Sequence, residues 1–151
     1  MRLSFVIPGK PQGKGRPRFT TRGGHARTYT PEATLTYESW IKVTAMQALA
    51  ELTSWNRNGQ FALDIRACFT VPKSKPKTFK EMALRGEIDP TVKPDMDNII
   101  KSICDALNGI LWHDDSQVTH IVAGKQYGTE DCVQVTVQNT TSPDDRWAER
   151  R

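Results

Sequence analysis

The chain has 151 residues, 37% of them hydrophobic and 25% charged, with a formal net charge of +4. That length suits one domain with a real core and is too short to suggest two, and a mean hydropathy of −0.56 describes a large polar surface. No segment is apolar enough to span a membrane, and the opening MRLSFVIPGK falls short of a secretory h-region, which needs about 7–15 apolar residues before a cleavage site. A cytoplasmic protein with no membrane partner is expected. The basic balance, with a pI near 9.1, raises the prior for a nucleic-acid partner.

In chain order, residues 2–7 read as a strand that ends at Pro8-Gly9. Six basic residues follow before any acidic one: Lys10, Lys14, Arg16, Arg18, Arg22 and Arg27. They sit among prolines and glycines, so an irregular cationic loop is expected. Its glycines would let the backbone approach a phosphodiester chain, and its cations would release condensed counterions. Thr30 and Pro31 then mark a helix start, and Tyr37, Ile41, Ala45, Ala48 and Leu52 form one apolar stripe. From Phe61 to Val71, alternation puts Phe61, Leu63, Ile65, Ala67, Phe69 and Val71 on one face of a strand.

A second cationic stretch follows Pro72, with Lys73, Lys75, Lys77 and Lys80, and a short helix is expected around Phe79–Arg85. The next helix runs from Asp97 to Leu107, with Ile100, Ile103, Cys104 and Leu107 buried and Gly109 as its stop. Two strands near 116–127 and 131–138 complete the order β-α-β-α-β-β. An α+β domain with a mixed sheet covered by helices is therefore expected over residues 1–140, and a polar tail over 141–151. Cys68, Cys104 and Cys132 are odd in number and widely spaced, which points to reduced core thiols rather than disulfides or zinc.

The segment KPDMDNIIKSICDALNGILWHDDSQV, residues 93–118, carries the chemistry. Asp95 and Asp97 flank a helix start, with Asp97 the expected N-cap, and Asp115 can approach from the turn beyond. Carboxylates so placed suit a hard divalent cation such as magnesium, which prefers oxygen ligands. One ion with a lysine, or two ions roughly 3.5–4 Å apart, would support in-line phosphodiester hydrolysis. Lys101, one turn after Asp97, can pair with its neighbours or neutralise charge on the phosphorane, and Asp105 can support it from the next turn. Neighbouring residues of an extended segment point to opposite sides, so only one of Asp114 and Asp115 should face the site, and Asp115 is favoured. His113 is more simply an exposed residue than a general base. The end of the strand at Val71, the second helix's N-terminus and the turn before Ser116 are expected to converge. A P-loop is absent, so no nucleotide cofactor is expected.

These residues resemble the RusA family of Holliday junction resolvases, whose signature is an Asp-x-Asp-Asn run with a following lysine, then Asp-Ala-Leu and Asp-Asp-x-Gln-Val. The opening VIPGKPQGKGRPR is similar to that of phage-borne members, so the likeness extends from the first strand to about residue 138. The resemblance implies a RusA-like fold and a magnesium- or manganese-dependent endonuclease that nicks four-way DNA junctions symmetrically as a homodimer, often in a prophage setting. It places metal ligands at Asp95, Asp97 and Asp115 and the catalytic lysine at Lys101. Lys10, Lys14, Arg16, Arg18, Lys73, Lys75 and Lys93 are the expected DNA contacts. The stretch from Lys73 to Lys93 is longer than in the most compact members. Two other readings are a less selective branched-DNA nuclease and a non-catalytic DNA-binding protein whose aspartates only cap and bridge.

Overall fold

The computed structural model describes residues 1–15, 18–20, 22–24, 26–29 and 32–140. The expected N-cap at Thr30 with Pro31, the basic residue Arg16 and the tail from residue 141 lie outside them. Among the described residues, six strands and three α-helices are arranged as β1 (Arg2–Pro8), β2 (Arg18–Thr20), β3 (Arg27–Tyr29), α1 (Glu32–Ala50), β4 (Phe61–Thr70), α2 (Lys77–Leu84), α3 (Met96–Leu107), β5 (Val118–Gly128) and β6 (Cys132–Asn139). The main sheet has the order β1-β6-β4-β5. β6 pairs antiparallel with both β1 and β4, and β5 pairs parallel with β4, so the sheet is mixed as expected.

Period-two alternation explains one buried face. Leu3, Phe5 and Ile7 from β1, Val133, Val135 and Val137 from β6, and Phe61, Leu63, Ile65, Ala67 and Phe69 from β4 all point into the core. α1 packs on β1 and α3, burying Thr34, Tyr37, Ile41 and Ala45 at helical spacing. Leu52 falls beyond the end of that helix and is exposed, so the expected stripe stops short of it. Trp112 closes one end of the core, 5.6 Å from Phe61 between ring centroids, and its Nε1 donates to Asn108 Oδ1 at 2.7 Å. Gly109 follows α3 with φ 77, a conformation that an L side chain would strain, and thus stops the helix as expected.

Three expectations need correction. The basic segment is not irregular throughout, since β2 and β3 pair as a short antiparallel ribbon. The short helix α2 begins two residues earlier than the apolar pattern indicated, directly after Pro76, because proline's fixed φ suits a helix start. Finally, Cys132 is only partly buried rather than a core thiol; all three cysteines are free as expected, and Cys68 and Cys132, distant in sequence, are register partners across β4 and β6. Burial and the neighbouring Cys68 push the Cys132 thiol up to about 11.

Candidate active site

The acidic motif opens α3. Asp95, not Asp97, occupies the N-cap, with extended backbone (φ −67, ψ 148), and its side chain makes no capping bond. Asp97 lies one residue inside the first turn. The helix starts early because the Asp95 carbonyl already accepts from Ile99 N at 3.1 Å. Both carboxylates are exposed at the positive end of the helix dipole, where acidic groups stabilise a helix by about 0.3–1 kcal/mol. Asp95 is paired with Lys93, whose Nζ lies 3.1 Å from Oδ1.

At the far end of the motif the two adjacent aspartates divide their roles. Asp114 caps a single 3-10 turn (Asp115–Gln117): its Oδ2 accepts from Ser116 N at 3.1 Å, while Gln117 Oε1 accepts from Asp114 N at 3.1 Å. The Ser116 contacts hold the Asp114 carboxyl below the usual carboxylate range. Gln117 Nε2 also donates to the carbonyls of Arg57 and Gly59, at 2.9 Å each, which pins the turn to the loop before β4. Asp115 is left out of this cap and half-buried near α3, where its charge, after burial itself, helps to raise the Cys104 thiol to about 11. Asp95, Asp97 and Asp115 supply hard oxygen donors of the kind magnesium takes. Among the described residues, however, no three acidic, histidine or cysteine side chains stand close enough together to hold an ion.

The structure gathers a different charged group around α3. Lys14 Nζ lies 2.5 Å from Glu38 Oε1 on α1 and 3.3 Å from Asp105 Oδ2 on α3. Asp105 Oδ2 is in turn 3.7 Å from Lys101 Nζ. Burial alone would lower the Lys14 ammonium's pKa, but hydrogen bonds and charge from Glu38 and Asp105 outweigh it and hold it above the ordinary lysine value. The expected support of Lys101 by Asp105 is present, and Lys14 shares that carboxylate. Glu38 carried no signal in the sequence, because an acidic residue on a long helix is ordinarily a solvated one.

Gly13 explains how the basic segment reaches this place. A Cβ there would stand 2.8 Å from Asn98 Cβ and 3.1 Å from Pro94 Cβ. The close approach that was expected to serve a phosphate is made with α3 itself. Lys14 N donates to the Asn98 carbonyl at 3.1 Å and Gly15 N to Thr34 Oγ1 at 3.1 Å, so the segment is bonded to both helices. Between it and the motif lies an open cleft of about 550 Å3, lined by Lys10, Gln12, Lys14, Lys93, Asp95 and Asn98 among others. Its lining includes neither Lys73 nor Lys75, nor Val71 just after β4, which was expected to converge here. Lys73 and Lys75 are exposed on the connection from β4 to α2. The side chain of Arg18 lies outside the described residues.

A mixed-sheet α+β domain with an Asp-x-Asp motif at a helix start, a lysine one turn on and a lysine-lined cleft beside it has the outline of a nuclease working on a phosphate backbone. The comparison with protein families agrees. The family model for the endodeoxyribonuclease RusA matches residues 8–138, and the chain belongs to that family. It is also 32% identical over 142 residues to the uncharacterized protein YqaN of Bacillus subtilis strain 168, an alignment covering 93% of this chain and 98% of YqaN. Among the described residues, no helix is long and apolar enough to cross a membrane.

Proposed function

We propose that the protein is a structure-selective endonuclease that resolves four-way (Holliday) junctions by paired nicks, acting as a homodimer with magnesium or manganese. The carrying observation is the family match across residues 8–138, to which the lysine-lined cleft at Asp95 adds a place for a DNA strand. The carboxylates that would hold the metal, Asp95, Asp97 and Asp115, are not gathered closely enough here to do so, so metal binding would have to draw them together. When bound, the metal would supply an activated water and a Lewis acid for the leaving oxygen. Lys10 and Lys93, both exposed beside the cleft, attract the phosphate backbone. Lys101 faces solvent from the same helix, 63% exposed at its side chain, and Asp105 tethers it without burying it. Its ammonium offsets charge developing on the phosphoryl oxygens. Lys14 limits how strongly Asp105 holds Lys101, because the carboxylate is divided between two ammonium groups. A two-fold dimer accounts for symmetric cuts, since each subunit brings one site to a roughly two-fold junction.

The test compares nicking of a mobile four-way junction and a linear duplex, with and without magnesium, for the natural chain and Asp97→Asn. The expected result is metal-dependent junction nicking that falls by about 10²–10³-fold in the variant. Junction affinity should hold or rise, because a charge that repels phosphate is gone. Equal nicking of both DNAs would favour a less selective nuclease. No nicking by the natural chain, with affinity unchanged in Asp97→Asn, would leave a binding protein.

A further inference from the structure

A second cleft, of about 520 Å3, adjoins the first. Its lining includes Pro8, Lys10, Gln12, Glu32, Tyr37 and Trp40. Lys10 and Gln12 line both clefts, so the two lie on either side of one short stretch of chain. The volume is in the range of small-ligand sites.

Two side chains on neighbouring turns of α1 give this cleft its chemistry. Trp40 leaves 53% of its surface exposed, an unusual cost for so large a ring. Tyr37 is only 4% exposed, and its fully buried hydroxyl makes no well-formed hydrogen bond among the described residues, with the Gln12 backbone near it. Burial raises that phenol to about 12, partly offset by the nearby Gln12 backbone, so at neutral pH it keeps its proton and can both donate and accept. A buried hydroxyl without a well-formed hydrogen bond is costly, and a ligand that opens the cleft enough to reach it recovers part of the loss. Lys10 lines both clefts, and the Glu32 carboxylate in the lining of this one disfavours a second phosphate while accepting from amino groups.

A flat ring to stack on, a neutral phenol at depth, and one cation and one carboxylate in the lining match an unstacked nucleobase. We propose that this cleft receives the base of a nucleotide flanking the phosphate held in the Lys10–Asp95 cleft. The inference rests on the nuclease reading and extends it to selectivity. In a linear duplex that base must be pulled from its stack, which costs free energy, whereas at a crossover the stack is already interrupted. The same contact would give a preference among bases beside the cut.

The test is a double-mutant cycle of protein and DNA with the full chain. Junctions carrying either an intact or an abasic nucleotide beside the cut are bound by the natural chain, Trp40→Ala and Trp40→Phe. Trp40→Ala should weaken binding to the intact junction about tenfold, within the range for base stacking on an aromatic side chain. The abasic site should weaken the natural chain to a similar degree and Trp40→Ala no further, and Trp40→Phe should recover most of the loss. Tyr37→Phe should fold normally and narrow the spread of cleavage rates among the four bases at that position. Additive losses, an unaltered Trp40→Ala, or an unchanged base spread in Tyr37→Phe would overturn the proposal. So would a shift of Trp40→Ala from dimer to monomer in sedimentation, because exposed Val43 and Met46 extend the apolar surface of α1 and a second copy could cover it. The nuclease reading is judged separately, on the natural chain alone: if that chain nicks no junction, both fall, and if it nicks junctions while the cycle is additive, only the base pocket falls.

Discussion

The two cationic stretches, residues 10–14 and 73–80, look alike in sequence and behave differently in the fold. Among the described residues, Lys77 reaches only Glu81 one turn away, at 3.9 Å, with the lysine side chain 90% exposed. Lys75 lies over the Phe79 ring at 4.8 Å, and Lys80 Nζ donates to the Lys73 carbonyl at 3.1 Å, so this stretch is held mainly by itself. The first stretch is held by other elements: Gly13 packs against Asn98, and Lys14 joins carboxylates from α1 and α3. Lysine and proline content is the same signal in both. What separates them is a glycine at a contact too close for a side chain and the presence of acidic partners, and only the first stretch borders Asp95.

Gly13→Ala should break this difference most severely. The added Cβ meets Asn98 Cβ at 2.8 Å, so either the basic segment or the first turn of α3 must move. Overpacking of this kind costs about 1–3 kcal/mol, more than the roughly 0.4–1 kcal/mol gained from a stiffer unfolded chain. A lower urea midpoint and junction nicking reduced on the order of a hundredfold are expected, the latter because a small misplacement of reacting groups is that expensive. A variant with natural activity would show that the docking is incidental.

Lys14→Met is next in size and asks whether Lys14 serves the DNA or the protein. Removing it leaves Glu38 and Asp105 without their shared cation and lets Asp105 draw Lys101 alone. The expected outcome is a fall in kcat on the order of tenfold with junction affinity and its salt dependence little changed, and partial recovery in the Lys14→Met, Glu38→Gln double variant. A phosphate-binding Lys14 would instead lower the salt slope by about one contact. The raised pKa of Lys14 adds a stability signature. Its contribution is fully present below the ordinary lysine value of 10.5 and is lost as pH climbs through the higher folded value. The natural chain should therefore lose stability above pH 10.5 more steeply than Lys14→Met, as denaturant titrations at successive pH values would show.

These two residues also mark where sequence reading stops. The sheet and main helices were legible because alternation in Phe61–Val71 and the three-four spacing of Tyr37, Ile41 and Ala45 are one-dimensional patterns that burial enforces. The acidic motif was legible because its carboxylates lie close together in the chain. Glu38, Gln117 and the buried Tyr37 hydroxyl were not, since their roles exist only after α1, the loop before β4 and the basic segment have met. Asp97 was expected as the cap because capping aspartates are common there. The extended backbone at Asp95 decides otherwise, and no local rule distinguishes two aspartates two residues apart.

The smallest expected effects come from single exposed lysines, and they sharpen the comparison between the two stretches. Lys10 is exposed and lines both clefts, so Lys10→Ala should weaken junction binding and reduce the dependence of log affinity on log salt by about one phosphate contact. Lys73→Ala and Lys75→Ala remove equal charge from a stretch that lines neither cleft, and each should change the slope by less. Net charge falls identically in all three variants, so a nonspecific effect of charge on DNA affinity cancels in the comparison and only position is read. Equal slopes for Lys10→Ala and Lys75→Ala would mean that the DNA arms reach the β4–α2 connection as well, and that the division between a docked and a solvated stretch does not extend to the substrate.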